Sequence, residues 1–258
     1  MTPLLDDLSQ LSGLAIDLVR TALFVFLRVG AAIALVPGLG EATLPARVRL
    51  ALVLAYTAVV APAAPIMADD DGSILAPMVA EAAAGLVLGL GFRLIVTALQ
   101  MAASIAAQST SLAQLTAGIG PEPQPAIGQL WTTAGLALAM MAGLHVRLAV
   151  ALTASYRLWP MGGVPDPAQV SRLGLGQIAH GFSLALSLAM PFVIGGFLYN
   201  LSIGIINRAM PQLMVSLIGA PALAWLSLFL MALATPVLLP LWQAALIASL
   251  ADPFAVTP

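Results

Sequence analysis

A chain of 258 residues with 61% hydrophobic and only 8% charged side chains, and a mean hydropathy of +1.04, falls far below the roughly 25% charge of ordinary soluble domains. Those figures argue against a soluble fold. The formal net charge of −2, with no lysine and nine arginines, supplies no basic stripe, so no nucleic-acid partner is expected. Cysteine is absent, which removes disulfides, thiol catalysis and cysteine metal sites.

In chain order, Asp6 and Asp7 stand where a cleaved signal peptide wants positive charge, so none is expected. Six apolar runs follow. The first, about Leu14 to Val36, stops at the turn signal Pro37-Gly38-Leu39-Gly40. The second, about Val48 to Met67, ends among Pro62 and Pro65 before Asp69-Asp70-Asp71-Gly72. The third runs from Leu75 to Ala107, the fourth from Ile127 to Ala154, the fifth from Leu173 to Ile206 and the sixth from Gln212 to Leu250.

At 1.5 Å per residue the third run is about 50 Å as one helix and the sixth nearly 60 Å, against a hydrocarbon core of about 30 Å. Each is too long for one upright span and short for two. Pro191, Gly195-Gly196, Pro236 and Pro240 offer places to kink or fold back. Freed backbone groups at membrane depth must then be covered by protein or line a wet cavity. Gly85 and Gly89, with Ala82-Ala83-Ala84 beside them, form a small-residue face suited to close helix approach. The expected fold is all-α: a polytopic integral membrane protein of about six long apolar helical segments with Pro/Gly breaks. Arg47 and Arg49 after the first run, and three aspartates after the second, would put the first loop in the cytoplasm and both termini outside.

The few charges lie within the apolar runs or at their ends. Arg20, Arg28, Glu81, Arg93, Arg147 and Arg208 are such residues, and charge at membrane depth faces protein or water rather than lipid. Asp17 and Arg20 at i, i+3 are placed to pair, whereas Asp17 and Arg28 share a face three turns apart. Glu81 and Arg93 lie about 120° apart on one helix, so each needs a partner on another helix or subunit. Arg28, Glu81, Arg93, Asn207 and Arg208 are the candidate buried polar or interface residues. A proton or substrate pathway is the competing reading of these charges.

The two histidines, His145 and His180, fit no metal-ligand or triad pattern, and hydrogen bonding between helices is the expected role. A nucleophile elbow, a phosphate loop and a dinucleotide fingerprint are all lacking, and Gly38-Leu39-Gly40-Glu41 reads as a turn. Neither catalysis, a cofactor nor a metal is expected. The segment 108–127 stands out. Ser111, Gln114, Thr116, Gly118, Gly120, Pro121 and Glu122 make it polar, small-sided and almost uncharged. A connection of that length suggests a lid or binding loop, or else an exposed interhelical loop.

Several stretches resemble the flagellar biosynthetic protein FliR family, whose injectisome counterparts are the SctT-type export proteins. They are Phe26-Leu27-Arg28-Val29 with Val36-Pro37-Gly38-Leu39-Gly40; Leu44-Pro45-Ala46-Arg47-Val48-Arg49-Leu50; and Glu81, Gly85, Gly89, Phe92-Arg93 and Gln100. Ser155-Tyr156-Arg157-Leu158-Trp159-Pro160-Met161-Gly162 resembles a mid-chain motif. The most specific stretch is Asn200-Leu201-Ser202-Ile203-Gly204-Ile205-Ile206-Asn207-Arg208-Ala209-Met210-Pro211-Gln212-Leu213, with Pro221 beyond it. Where family members commonly show Asp-Pro, this chain has Gly120-Pro121, and Glu122 is the nearest acid.

The resemblance implies a non-enzymatic subunit of the type III export gate in the bacterial inner membrane, at the flagellar basal body. It implies FliP-like and FliQ-like partners, contact with membrane lipid, and unfolded export substrates passing through the assembly. It also implies a FliP-like part over about 1–170, a FliQ-like part over about 171–258, and a plug in 108–127. The alternative class is a small-solute secondary transporter using Arg28, Glu81 or Arg93 at a midplane site. An intramembrane protease is a third, lacking paired aspartates, a Ser-His pair or metal ligands.

Overall fold

The computed structural model describes residues 2–41, 44–65, 74–110, 126–210 and 215–252. Its elements are helices: α1 (Thr2–Leu35), α2 (Ala46–Val60) with one further 3-10 turn (Ala61–Ala63), α3 (Leu75–Thr110), α4 (Ala126–Met141), α5 (Leu144–Leu158), α6 (Pro167–Ala209) and α7 (Val215–Ala251). Among the described residues, five stretches are long and apolar enough to cross a membrane, and α4 with α5 makes a bent sixth. The protein is an all-α polytopic membrane protein.

The elements depart from the apolar runs in three ways. Helix α1 begins at Thr2, well before the first apolar residue of the run, because helical hydrogen bonding does not require hydrophobicity. The fourth run is not one rod. Ala142 N–H closes α4 on the Leu138 carbonyl, Gly143 adopts φ +80°, and α5 restarts at Leu144. The reverse holds for α6 and α7, which do not fold back and stay helical through Pro191 and through Pro236 and Pro240. A proline forfeits one ladder bond, whereas a fold-back in an apolar medium would orphan many backbone groups.

Continuous helices of 36, 43 and 37 residues result for α3, α6 and α7. They are about 54, 65 and 56 Å long, so each exceeds an upright crossing.

Two compact units interleave along the chain. The first comprises residues 1–93, 143–177 and 247–257; the second, 94–142 and 178–246. They divide the chain on a different basis from the 1–170 and 171–258 parts.

In the first unit the buried positions of α1 are Thr21, Phe24, Val25, Arg28, Val29, Ala32 and Ile33, and those of α3 include Ala80, Glu81, Ala84, Leu88 and Phe92. Both sets recur at the three- and four-residue spacing of a helix stripe, with a charged residue inside each. Gly85 and Gly89 let the helices touch backbone to backbone. A Cβ on Gly85 would stand 2.2 Å from the Arg28 carbonyl oxygen, and one on Gly89 2.5 Å from that of Ala32. The small-residue face therefore packs as its spacing predicts, and the contact pairs place α1 and α3 parallel.

The turn after α1 forms as expected: Gly38 takes φ +82° and Gly40 N–H bonds the Val36 carbonyl at 2.8 Å.

The second unit is centred on two fully buried tryptophans. Trp131 Nε1–H donates to Thr235 Oγ1 at 2.8 Å and its ring meets Phe192 edge-on at 5.3 Å. Trp242 Nε1–H donates to the Ile95 carbonyl at 2.9 Å. Each indole thus buries a large apolar surface without orphaning its donor.

Candidate functional site: a buried arginine–glutamate pair

Arg28 and Glu81 are both 0% exposed. Their stripes face each other across the α1–α3 contact, and the two groups form a bidentate pair: Arg28 Nε to Glu81 Oε2 at 2.7 Å and Nη2 to Oε1 at 3.0 Å. A charge pair out of water is tolerated only if the remaining donors and acceptors are also satisfied.

The satisfying groups come from one short stretch, the end of α5 and the turn after it. Arg28 Nη1 donates to Ser155 Oγ at 3.1 Å, and Nη2 also donates to the Trp159 carbonyl at 3.0 Å. Gly162 N–H donates to Glu81 Oε1 at 2.8 Å. The Arg28 guanidinium carbon lies 3.8 Å from the centre of the Tyr156 ring, a cation–π contact strengthened by desolvation. Ser155 Oγ in turn donates a hydrogen bond to the Leu152 carbonyl at 2.6 Å.

The backbone shape of 160–163 makes the Gly162 contact possible. Gly163 N–H closes a turn on the Pro160 carbonyl at 3.0 Å, and Gly162 in third position takes φ +75°. That position favours glycine. Gly162→Ala should therefore cost about 1–2 kcal/mol through left-handed strain, seen as a lower melting midpoint in detergent, while a Cβ on Gly163 comes no nearer than 3.1 Å, to the Pro160 carbonyl oxygen, and Gly163→Ala should cost less.

The octapeptide Ser155 to Gly162, noted in the sequence only for its family resemblance, thus carries a physical task. Its serine, tyrosine, tryptophan carbonyl and glycine amide all meet one ion pair. The available sign was a polar and aromatic cluster set in an otherwise apolar chain.

The other candidates lie elsewhere. Arg93 is exposed on α3, and Asn207 and Arg208 are exposed in the last turn of α6, whereas Arg28 and Glu81 are buried. Arg208 suits the negative end of the helix dipole there. Arg20 packs its guanidinium over Phe24 at 5.9 Å, and Arg147 is exposed at the start of α5. His145 is exposed and ties α5 to α2 through its carbonyl, which accepts from Tyr56 Oη at 3.0 Å; the imidazole was the expected group. Of the polar segment 108–127, Gln108, Ser109 and Thr110 belong to α3, whose Ser109 Oγ bonds the Ala106 carbonyl. Ser111, Gln114, Thr116, Gly118, Gly120, Pro121 and Glu122 lie outside the described residues.

The sequence profile of the family described as bacterial export proteins, family 1, matches residues 19–248. The chain belongs to that family. The match includes Arg28, Glu81 and the whole 155–162 turn, and it agrees with the resemblance carried by the sequence motifs. Among curated members, the flagellar biosynthetic protein FliR of Caulobacter vibrioides is 30% identical over 231 residues, covering 87% of this chain and 92% of its own length. That of Escherichia coli is 28% identical, covering 83% and 84% respectively. That of Aquifex aeolicus is 24% identical, covering 84% and 86%. The chain is a membrane-embedded member of a flagellar export family.

Proposed function

We propose that the chain is a non-enzymatic subunit of the flagellar type III export gate, seated in the bacterial inner membrane at the basal body. There it helps to form and close the passage for unfolded flagellar proteins. Membership of the export family over residues 19–248 carries this reading. FliP-like and FliQ-like subunits are the companions it implies, with residues 1–170 as the FliP-like part and 171–258 as the FliQ-like part. Helices longer than a bilayer crossing support it, because parts of α6 and α7 must be covered by something other than hydrocarbon.

The chemistry of the buried pair fits a scaffold role. Arg28 and Glu81 are committed to each other and to the 155–162 turn, which leaves a solute transporter without those charges for a binding site. Arg93, Asn207 and Arg208 serve as candidate contacts to companion subunits.

Export itself is the test. Cells lacking the chain should release no flagellar subunits into the medium and should not swim, and the gene supplied in trans should restore both. Export that continues in its absence would overturn the proposal. The segment 108–127 is assigned as the plug, with Ser111, Gln114, Thr116, Gly118, Gly120, Pro121 and Glu122 as its candidate residues. Replacing Gly118-Ile119-Gly120 by a shorter linker should raise ion leakage without loss of assembly; unchanged conductance in an assembled complex would remove the assignment.

A further inference from the structure

The second unit carries an open cleft of about 560 Å³ between α3 and α4. Its polar lining is Thr97, Gln100 and Ser104 on α3 with Gln129 and Thr132 on α4, and Met101 and Ile105 supply apolar wall. The three α3 residues fall on one face at spacings of three and four. The side-chain amides of Gln100 and Gln129 make no hydrogen bond among the described residues, and Thr132 Oγ1 donates back to the Gly128 and Gln129 carbonyls. Among the described residues the lining carries hydroxyls and amides and no charge.

Five hydrogen-bonding side chains around one cleft form an unusual patch in a chain this apolar. Lipid is a poor occupant, because an unmatched amide in hydrocarbon is costly. A charged ligand is poorly served by the described lining residues, because none of them offers a counter-charge. Peptide groups fit best. Every polypeptide offers amide donors and acceptors along its backbone regardless of sequence, and glutamine amides and hydroxyls complement both. The dimensions agree. Thr97 to Ser104 rises about 10 Å along the helix, the length of about three extended residues. Gln100 to Ser104 rises about 6 Å, close to the roughly 6.6 Å between backbone groups on one side of an extended chain.

We infer that this cleft is a contact site for the main chain of an extended, unfolded polypeptide, holding it through sequence-independent hydrogen bonds. The inference rests on the export reading above and adds the site and the chemistry of contact. A hydroxyl-and-amide wall of this kind grips weakly at any one point, which suits a chain that must keep moving.

The test uses cells in which the intact chain supports export. A flagellar subunit fused to a tightly folded domain is stalled during export, and benzoylphenylalanine replaces Gln100, Gln129 or, as a control, the exposed apolar Leu90 of α3. Illumination should give adducts with the stalled polypeptide at Gln100 and Gln129 and none at Leu90. In parallel, the double variant Gln100→Leu/Gln129→Leu should cut export about fivefold to tenfold, for two lost hydrogen-bonding groups, with membrane content unchanged. Gln100→Asn/Gln129→Asn should retain most of it. Both side chains are exposed, so leucine there does not disturb a core. Adducts only with lipid or with companion subunits, or wild-type export by the leucine pair, would overturn the site while export in the parent cells leaves the broader reading standing. Export in cells lacking the chain would instead remove the reading itself.

Discussion

Glu81→Gln should strip the protein from the membrane. The substitution leaves the side-chain shape intact but removes the carboxylate paired with Arg28, stranding a guanidinium that is 0% exposed. Breaking a buried pair in this way costs about 3–5 kcal/mol, a large share of the roughly 5–15 kcal/mol that holds a domain folded. Quantitative immunoblotting of membranes should show severe loss, and any purified remainder should melt on the order of 10 °C lower. Arg28→Ala should behave alike, and Arg28→Lys should fall between, because lysine cannot make the forked contact or the Tyr156 stacking.

The sharper result concerns rescue. Reversing both charges, Arg28→Glu with Glu81→Arg, restores opposite signs yet should not restore the protein. The Trp159 carbonyl needs a donor and the Gly162 N–H needs an acceptor, so the backbone of the turn fixes which helix carries which sign. Full rescue by the swap would show that the two charges see only each other. The double variant Arg28→Met/Glu81→Met removes both desolvated charges yet should not restore full stability, because it leaves the Gly162 and Trp159 backbone groups unpaired at about 1–3 kcal/mol each.

Gly85→Ala is the second large effect. A single added methyl would overlap the Arg28 carbonyl oxygen at 2.2 Å and crowd Ala31 Cβ at 2.9 Å. Backbone cannot swing aside as a side chain can, so α1 and α3 must separate, at about 1–3 kcal/mol. Gly85 lies one turn beyond Glu81, so separation also lengthens the ion pair. Gly85→Ala and Glu81→Gln should therefore be non-additive, with a coupling of about 0.5–3 kcal/mol in a double-mutant cycle. Gly174 and Gly204 supply the contrast. Among the described residues nothing stands within 4 Å of a Cβ at either position in α6, so alanine there should be neutral or stabilise by about 0.5–1 kcal/mol. Equal effects at Gly85 and Gly204 would contradict the close α1–α3 contact.

Much of this architecture is legible in the sequence, for reasons particular to membrane chains. Apolar run length reports crossings directly, so α2, α3 and α6 lie close to their expected positions. The Gly85 and Gly89 spacing announced a tight contact, and helical geometry correctly sent Glu81 to seek its partner on another helix. Two features were not legible. Proline is a weaker breaker in an apolar surrounding than in water, which is why α6 and α7 continue past Pro191, Pro236 and Pro240 whereas Gly143 divides α4 from α5. Pairing across 53 residues, and closure of the pair by a turn that begins 74 residues beyond Glu81, depend on tertiary packing that no local pattern encodes. Exposure of Arg93, Asn207 and Arg208 is likewise a matter of which helix face is left uncovered.

The central claim is that companion proteins cover these long helices in a shared export assembly. Affinity purification of the tagged chain from native membranes in mild detergent, with mass measurement of the intact complex, tests it most directly. The account predicts co-purification with two other small hydrophobic proteins of the FliP and FliQ kinds, in fixed ratio. A stable particle containing this chain alone, able to move a small solute across a vesicle membrane, would contradict it.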